Sequence, residues 1–195
     1  MYSWQHSVNM KKIIVFASGS GSNFEALAKA CRAGEIEGEI ALLVASKPCI
    51  GAIEKAKNLN IPIFIEDAIG EYSLQEVCAG ADLICLAGYL KKLPLKILQI
   101  CPAMNIHPAL LPAFGGKGMY GHNVHEAVLK NGIKESGATV HFVDEDYDKG
   151  QIIAQAKVPV LPGDTPQTLA ARVLEQEHKL YPHCVQLFCE GKLCK

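Results

Sequence analysis

No pair among the eight cysteines is spaced as CxxC, and several lie inside apolar runs, so no disulfide framework is expected; they read as reduced, buried or incidental thiols. Charge of one sign is missing too. Nineteen Lys and Arg against twenty Asp and Glu leave a net charge of -1, which excludes a bulk pull toward nucleic acid or anionic membrane. Any anionic ligand must be held locally. No apolar run approaches the roughly 18 residues of a membrane span. The opening MYSWQHSVNM lacks the charged flank and apolar stretch of a secretion signal, so a cytoplasmic location is expected. Internal repeats, low-complexity tracts and linkers are also absent, and 195 residues suit one domain with a real core, placed at 11–195 behind a short extension, 1–10.

What is present is an alternation of short apolar runs with helix-like stretches. KIIVFA (12–17) precedes SGSGSN and a helical pattern through Leu27 and Cys31, the order strand, Gly-rich turn, helix. Further strand-like runs occur at 40–45, 61–65 and 82–87, with helix-like stretches at 51–58 and 72–79 between them. This texture predicts an α/β fold, a mostly parallel twisted sheet with flanking helices. Beyond Gly88 come a short helix in KKLPLKIL, a brief strand in MNIHP, and a Gly- and Pro-rich loop from Leu110 to Gly121. A helix over 121–130, two β-rich segments around an acidic turn, and a helix over 165–189 complete the chain, with Asp164 or Thr165 placed to cap the last helix beside Pro166.

Several motifs bear on chemistry. Gly19-Ser20-Gly21-Ser22-Asn23 lies where the first strand meets the first helix, so backbone N–H groups and the helix dipole can cradle a phosphate. Phe24 stands where a dinucleotide fingerprint wants a third glycine, which favours a mononucleotide phosphate; a plain tight turn is the competing reading. In MNIHP, strand alternation puts Asn105 and His107 on one face. On a strand parallel to its neighbours they stand at the carboxyl edge of the sheet, where an amide and an imidazole can stabilise an oxyanion. By itself the segment reads first as a hydrogen-bonded histidine finishing an edge strand.

The acidic turn from Asp144 to Gly150 fails as a calcium loop, since its glycine falls one place late and Gln155 occupies the twelfth position. It reads either as a solvated loop or as the source of a carboxylate, Asp148, that reaches His107 and raises its pKa. His122 and His125 lack the HExxH spacing and a third ligand, so no metal is expected, and they are placed on a helix lip near the site. His141 is expected to give structural support on the face shared with Thr139. Glu177, deep in the last helix, reads by default as part of a solvated face.

In this order SGSGSN, LAGYL, MNIHPALLP, TVHFVDEDYDKGQII, QAKVPV, GDTP and QEH resemble the folate-dependent glycinamide ribonucleotide formyltransferases, from about Lys12 to Lys192. NIHPxLLP alone marks the wider formyltetrahydrofolate-using superfamily; GSGSN joined to HFVDEDYDKGQII and QEH is more specific. The resemblance implies a single formyltransferase domain with a Rossmann-like fold, glycinamide ribonucleotide as acceptor and 10-formyltetrahydrofolate as co-substrate. It implies no metal, nucleic acid or membrane partner, and a monomer or homodimer. On matching positions, Asn105, His107 and Asp148 form the catalytic set, Gly21, Ser22 and Asn23 hold the phosphate, and Glu177 the ribose. Leu90, Lys91, Lys92 and Leu93, with Asp144, Glu145, Asp146 and Tyr147, line the pterin pocket through backbone groups.

Lys91 stands where many relatives carry arginine, the stretch from Asp67 to Glu76 is short and lacks a basic residue, and Leu174 replaces a polar residue before the ribose glutamate. The loop from Ala113 to His122 carries extra glycines. Two neighbouring activities stay open, a formylfolate hydrolase and a methionyl-tRNA formyltransferase, although 195 residues are few for the extra domain each usually bears. A noncatalytic phosphosugar-binding module would need the glycine loop and have no use for Asn105, His107 and Asp148 together.

Overall fold

A computed structural model describes residues 10–66 and 74–193. The first apolar run forms β1 (Lys11–Ala17), whose alternate side chains feed two separate cores. Ile13, Val15 and Ala17 pack on one face of the sheet, Ile14 and Phe16 on the other. A strand covered on both faces needs a continuous apolar run, not an alternating one. Parallel partners flank it, β2 (Gly38–Ala45) on one side and β4 (Leu83–Leu86) on the other.

The seven strands are ordered β3-β2-β1-β4-β5-β6-β7, with β3 at Ile63–Ile65 and β5 at Ala103–His107. β5 is parallel to β4, as its carboxyl-edge placement of Asn105 and His107 required. The acidic turn joins an antiparallel pair, β6 (Glu135–Phe142) and β7 (Ile152–Pro159), and β6 is antiparallel to β5 as well. From β3 the chain crosses over β1 to form β4, so the connections reverse direction between β1 and β4. Open α/β sheets bind ligands beyond the carboxyl ends of the strands at such a switch point.

Helices α1 (Ser22–Arg32), α2 (Gly51–Asn58) and α6 (Pro166–Cys189) bury Phe24, Leu27, Ala52 and Val173 in the larger core. The short helices α3 (Leu74–Val77) and α4 (Leu95–Leu98) cover the opposite face, and α5 (His122–Lys130) follows the Gly-rich loop. Of the helix-like stretch 72–79, the first two residues lie outside the described part. Seven cysteines are described and all are free; burial pushes the thiols of Cys31 and Cys78 up to about 12, which leaves them protonated and inert. Cys194 lies outside the described residues.

α6 is the element that locks the two halves of the sheet together. Thr165 is its cap: its hydroxyl accepts from the Thr168 amide at 3.2 Å while the Thr168 hydroxyl accepts from the Thr165 amide at 2.9 Å. Asp164 braces this turn through a two-pronged ion pair with Arg172 at 2.7 and 2.9 Å. Farther along, the fully buried Tyr181 hydroxyl donates toward the carbonyls of Leu86 (3.1 Å) and Met104 (2.9 Å), at the end of β4 and inside β5. Replacing Tyr181 by phenylalanine removes this buried link between β4 and β5. We expect an unfolding free energy lower by about 1–2 kcal/mol, read as a shifted urea midpoint at constant slope.

Candidate active site

Antiparallel pairing of β5 with β6 sets Asn105 directly opposite His141, and His107 opposite Thr139. Side chains of opposed residues share a face. Thr139 is consumed in fixing the next segment: its hydroxyl donates to the Ala109 carbonyl (2.6 Å) and accepts from the Leu111 amide (3.0 Å). Asn105 and His141 meet at 3.1 Å between Nδ2 and Nε2. His141 Nδ1 faces the Phe142 carbonyl at 2.8 Å, so that nitrogen carries a hydrogen and Nε2 is free to accept from the Asn105 amide.

The third group arrives on the hairpin between β6 and β7. Asp148 has a left-handed backbone, φ 57°, and the turn closes so tightly that a Cβ on Gly150 would sit 1.7 Å from the Phe142 carbonyl oxygen. This geometry sends the Asp148 carboxylate back over the sheet edge. Its Oδ1 lies 3.4 Å from Asn105 Nδ2 and 3.5 Å from both His107 Nδ1 and His141 Nε2; its Oδ2 accepts from the Gly116 amide at 2.9 Å. The three groups singled out in the sequence therefore converge.

The protonation balance differs from the expectation that Asp148 keeps His107 charged. His107 is only 3% exposed, and that burial pushes its pKa down; the nearby Asp148 carboxylate and the Phe114 carbonyl oppose the shift without reversing it. Asp148 is also partly buried, which alone would raise its pKa, yet the His141 ring, His107 and the Gly116 amide together hold it below the usual carboxylate range. His107 Nε2 is 2.8 Å from the Phe114 carbonyl and must donate there, leaving Nδ1 unprotonated in the neutral ring. A bare imidazole nitrogen facing an ionised carboxylate is a proton acceptor in waiting, and the carboxylate stabilises the cation once it forms.

These residues open onto a cleft of about 840 Å³ that crosses the carboxyl ends of β1, β4 and β5. One end is the Gly-rich loop. Gly21 has φ 75° and a Cβ there would lie 2.6 Å from Ala52 Cα, so only glycine lets α1 begin this close to α2. The first helical bond of α1 runs from the Glu25 amide to the Gly21 carbonyl, which leaves the amides before it for a ligand. Asn23 and Glu177 hold each other, Nδ2 to Oε2 at 2.7 Å, and Asn23 Oδ1 is buried without a partner. Glu177 is thus buried, not solvated, and burial raises its pKa in spite of the Asn23 bond. Leu174, also lining the cleft, adds no polar group there.

The other end is formed by Leu90, Lys91, Lys92 and Leu93 facing Asp144, Asp146 and Tyr147; Glu145 is not among the lining residues and supplies its carbonyl to Lys92 instead. The Leu90 amide donates to the Ser18 hydroxyl at 3.1 Å, joining this wall to the Gly-rich loop. Lys91 is held by Glu66 (3.2 Å), and Lys92 also lies 5.1 Å over the Tyr147 ring. Of the stretch from Asp67 to Glu76, residues 67–73 lie outside the described part.

The histidines of α5 part company. His122 pairs with Glu126 at 3.2 Å, whereas His125 is buried against the cleft, Nδ1 unpartnered, its pKa pushed down to about 4 by burial and the neighbouring His122 and His107. Among the described residues no group of three or more His, Cys, Asp or Glu side chains is arranged to hold a metal. Sequence reasoning missed His141 as a neighbour of Asn105 and Asp148. Its alternation gave the right face, but the strand opposite is a matter of pairing.

Residues 11–185 match the family model described as formyl transferase. A catalytic domain of the formyl transferase class is what this fold and cleft define. The chain is 45% identical over 200 residues to a chloroplastic phosphoribosylglycinamide formyltransferase of Arabidopsis thaliana, covering 96% of this chain and 68% of that one. It is 39% identical to the phosphoribosylglycinamide formyltransferase of Haemophilus influenzae, with 94% and 90% covered. Among solved structures, glycinamide ribonucleotide transformylase 1 of Symbiobacterium toebii superposes with a TM-score of 0.87 at 38% identity, over 95% of this chain and 91% of that one. Within the formyl transferases, the chain belongs to the phosphoribosylglycinamide formyltransferase family.

Burial of neutral His107 and His125 has a consequence for stability. Both have folded pKa values below the ordinary value near 6.5, so on acidification the unfolded chain takes up protons first and is favoured. The His125 contribution is complete above about pH 6.5 and is lost as pH falls toward 4, and that of His107 is lost in the same direction. Urea unfolding measured across that window should show a shallower loss of stability for His125→Asn than for the wild type. Parallel curves would contradict the burial argument.

Proposed function

We propose that the protein transfers the formyl group of 10-formyltetrahydrofolate to the amino group of glycinamide ribonucleotide, a step of purine biosynthesis. One observation carries this reading: Asn105, His107 and Asp148 converge on one cleft that also receives the N-terminus of α1. Gly21 and the amides of Ser22 and Asn23 hold the phosphate, and Glu177, braced by Asn23, accepts from ribose hydroxyls. Backbone groups of Leu90–Leu93 and Asp144–Tyr147 hold the pterin.

The chemistry follows from the groups present. The neutral amine attacks the formyl carbon, forming a C–N bond and an oxyanion that the Asn105 amide stabilises. The His107–Asp148 couple takes the proton released from the amine. Protonated His107 then adds its charge to the oxyanion site and returns a proton to the folate nitrogen as the old C–N bond breaks. Asp148 stabilises the imidazolium throughout. The folate supplies the reactive carbon, and the protein supplies orientation and electrostatics.

Three finer points belong to the same reading. The working unit is the domain at 11–195 with 1–10 as an extension, and it acts as a monomer or homodimer. Its compartment is the cytoplasm, although the plant relatives are named chloroplastic. Among the described residues no helix is long and apolar enough to cross a membrane.

The test is to incubate the purified protein with glycinamide ribonucleotide and formylfolate and follow deformylated folate by absorbance. Product that depends on the amine supports the transferase; equal product without it points to a hydrolase, and none at all defeats both. His107→Ala, Asp148→Ala and Asn105→Ala should each lower kcat by about a hundredfold to ten-thousandfold with unchanged circular dichroism. Wild-type turnover in any of them would remove that residue from the mechanism.

A further inference from the structure

The cleft contains a positive charge that the proposed chemistry leaves unused. Three lysines line it. Lys91 is engaged by Glu66 and the Ser46 carbonyl, and Lys92 by the Glu145 carbonyl, Asp146 and the Tyr147 ring. Lys117 has neither an ion pair nor a hydrogen-bond partner among the described residues, and its side chain is exposed at the lip.

The mount beneath Lys117 is built, not slack. The Met119 amide donates to the Gly116 carbonyl at 3.0 Å, closing a four-residue turn with Lys117 and Gly118 at its corners. Gly118 has φ 88°, the left-handed value that the third position of such a turn reserves for glycine. Both sides of the turn are fastened: the Gly116 amide to Asp148 Oδ2 at 2.9 Å, the Gly118 carbonyl to Asn123 Nδ2 at 3.1 Å. Two residues earlier, the Phe114 carbonyl takes the hydrogen of His107 Nε2. A free ammonium is therefore carried on a short turn tied directly to the acid–base pair. None of the described acidic groups that line the cleft, Asp144, Asp146, Asp148 and Glu177, pairs with it.

We propose that Lys117 is an anion-binding residue of this cleft, donating its ammonium to an oxyanion carried by a bound substrate, the ribonucleotide phosphate or a glutamyl carboxylate of the folate. The proposal rests on the functional reading above. Because the turn hangs on Asp148 and leads back to Phe114, capture of the anion also fixes the segment that orients the acid–base pair.

Wild-type turnover with both substrates first secures that reading, and its absence would count against the reading and not against Lys117. Steady-state kinetics of Lys117→Gln, Lys117→Glu and Lys117→Arg then address the residue. The KM for one substrate should rise about tenfold in the glutamine variant and further in the glutamate variant, with most of the loss recovered by arginine. The effect should shrink as salt is raised, since the lip is open to screening. A rise confined to the ribonucleotide, and absent for the unphosphorylated glycinamide riboside, assigns the phosphate. A rise confined to formylfolate, and absent for its pteroate form without glutamate, assigns the carboxylate. Titration calorimetry of ribose 5-phosphate and of folate against wild type and Lys117→Gln measures the same contact without turnover, and weaker binding of one of them in the variant supports it. Values for both substrates within about twofold of wild type in the glutamine and glutamate variants, with unchanged calorimetry, would overturn the proposal and leave Lys117 a solvated loop residue.

Discussion

Much of this structure turns on keeping one partly buried carboxylate ionised. Asp148 is drawn from solvent by the hairpin between β6 and β7, a move that by itself favours its neutral form. The Gly116 and Asn105 amides donate to it, and positive charge on the rings of His107 and His141, when they take up a proton, favours its ionised form. Remove the register between β5 and β6 and Asn105 no longer faces His141. Remove the close packing at Gly150 and the carboxylate no longer reaches either. The catalytic proposal, the loop that covers His107 and the turn that presents Lys117 all depend on this meeting point.

The sheet supplies the frame on which that meeting point can exist. Between β1 and β4 the connections reverse direction, which opens a crevice that helices on neither face fill. The N-terminus of α1 faces the crevice from one side, and the segments around Leu90 and Asp146 wall the other. α6 ties the halves together, since Tyr181 grips β4 and β5 while Glu177, one turn earlier, meets Asn23 across the cleft. A helix that serves as strut and as a wall of the cleft explains why a glutamate deep in its sequence is buried and not solvated.

Local patterns made much of this legible. The continuous apolar runs announced parallel strands, and β1, β2, β3 and β4 lie where the runs are; the Gly-rich turn marked the start of α1, and Thr165-Pro166 marked the start of α6. Asn105 and His107 were readable as neighbours on one face because strand alternation is a property of a single strand. His141 was not readable as their partner. Its face followed from alternation, but its place opposite Asn105 is set by which strand lies next to β6 and in what register. The engagement of Asn23 by Glu177, 154 residues away, left no local trace either.

The sequence by itself determined the class of fold, the glycine loop, the motif residues and, through their resemblance, the family, because each rests on periodicity, turn chemistry or short spacings carried by adjacent residues. Tertiary structure decided what is charged and what is free. Whether His107 rests neutral, whether Asp148 stays ionised, and whether Lys117 alone among the lining lysines lacks a described partner depend on burial and on groups brought together from far along the chain. Desolvation and Coulomb interaction act through space, and only the folded chain fixes those distances.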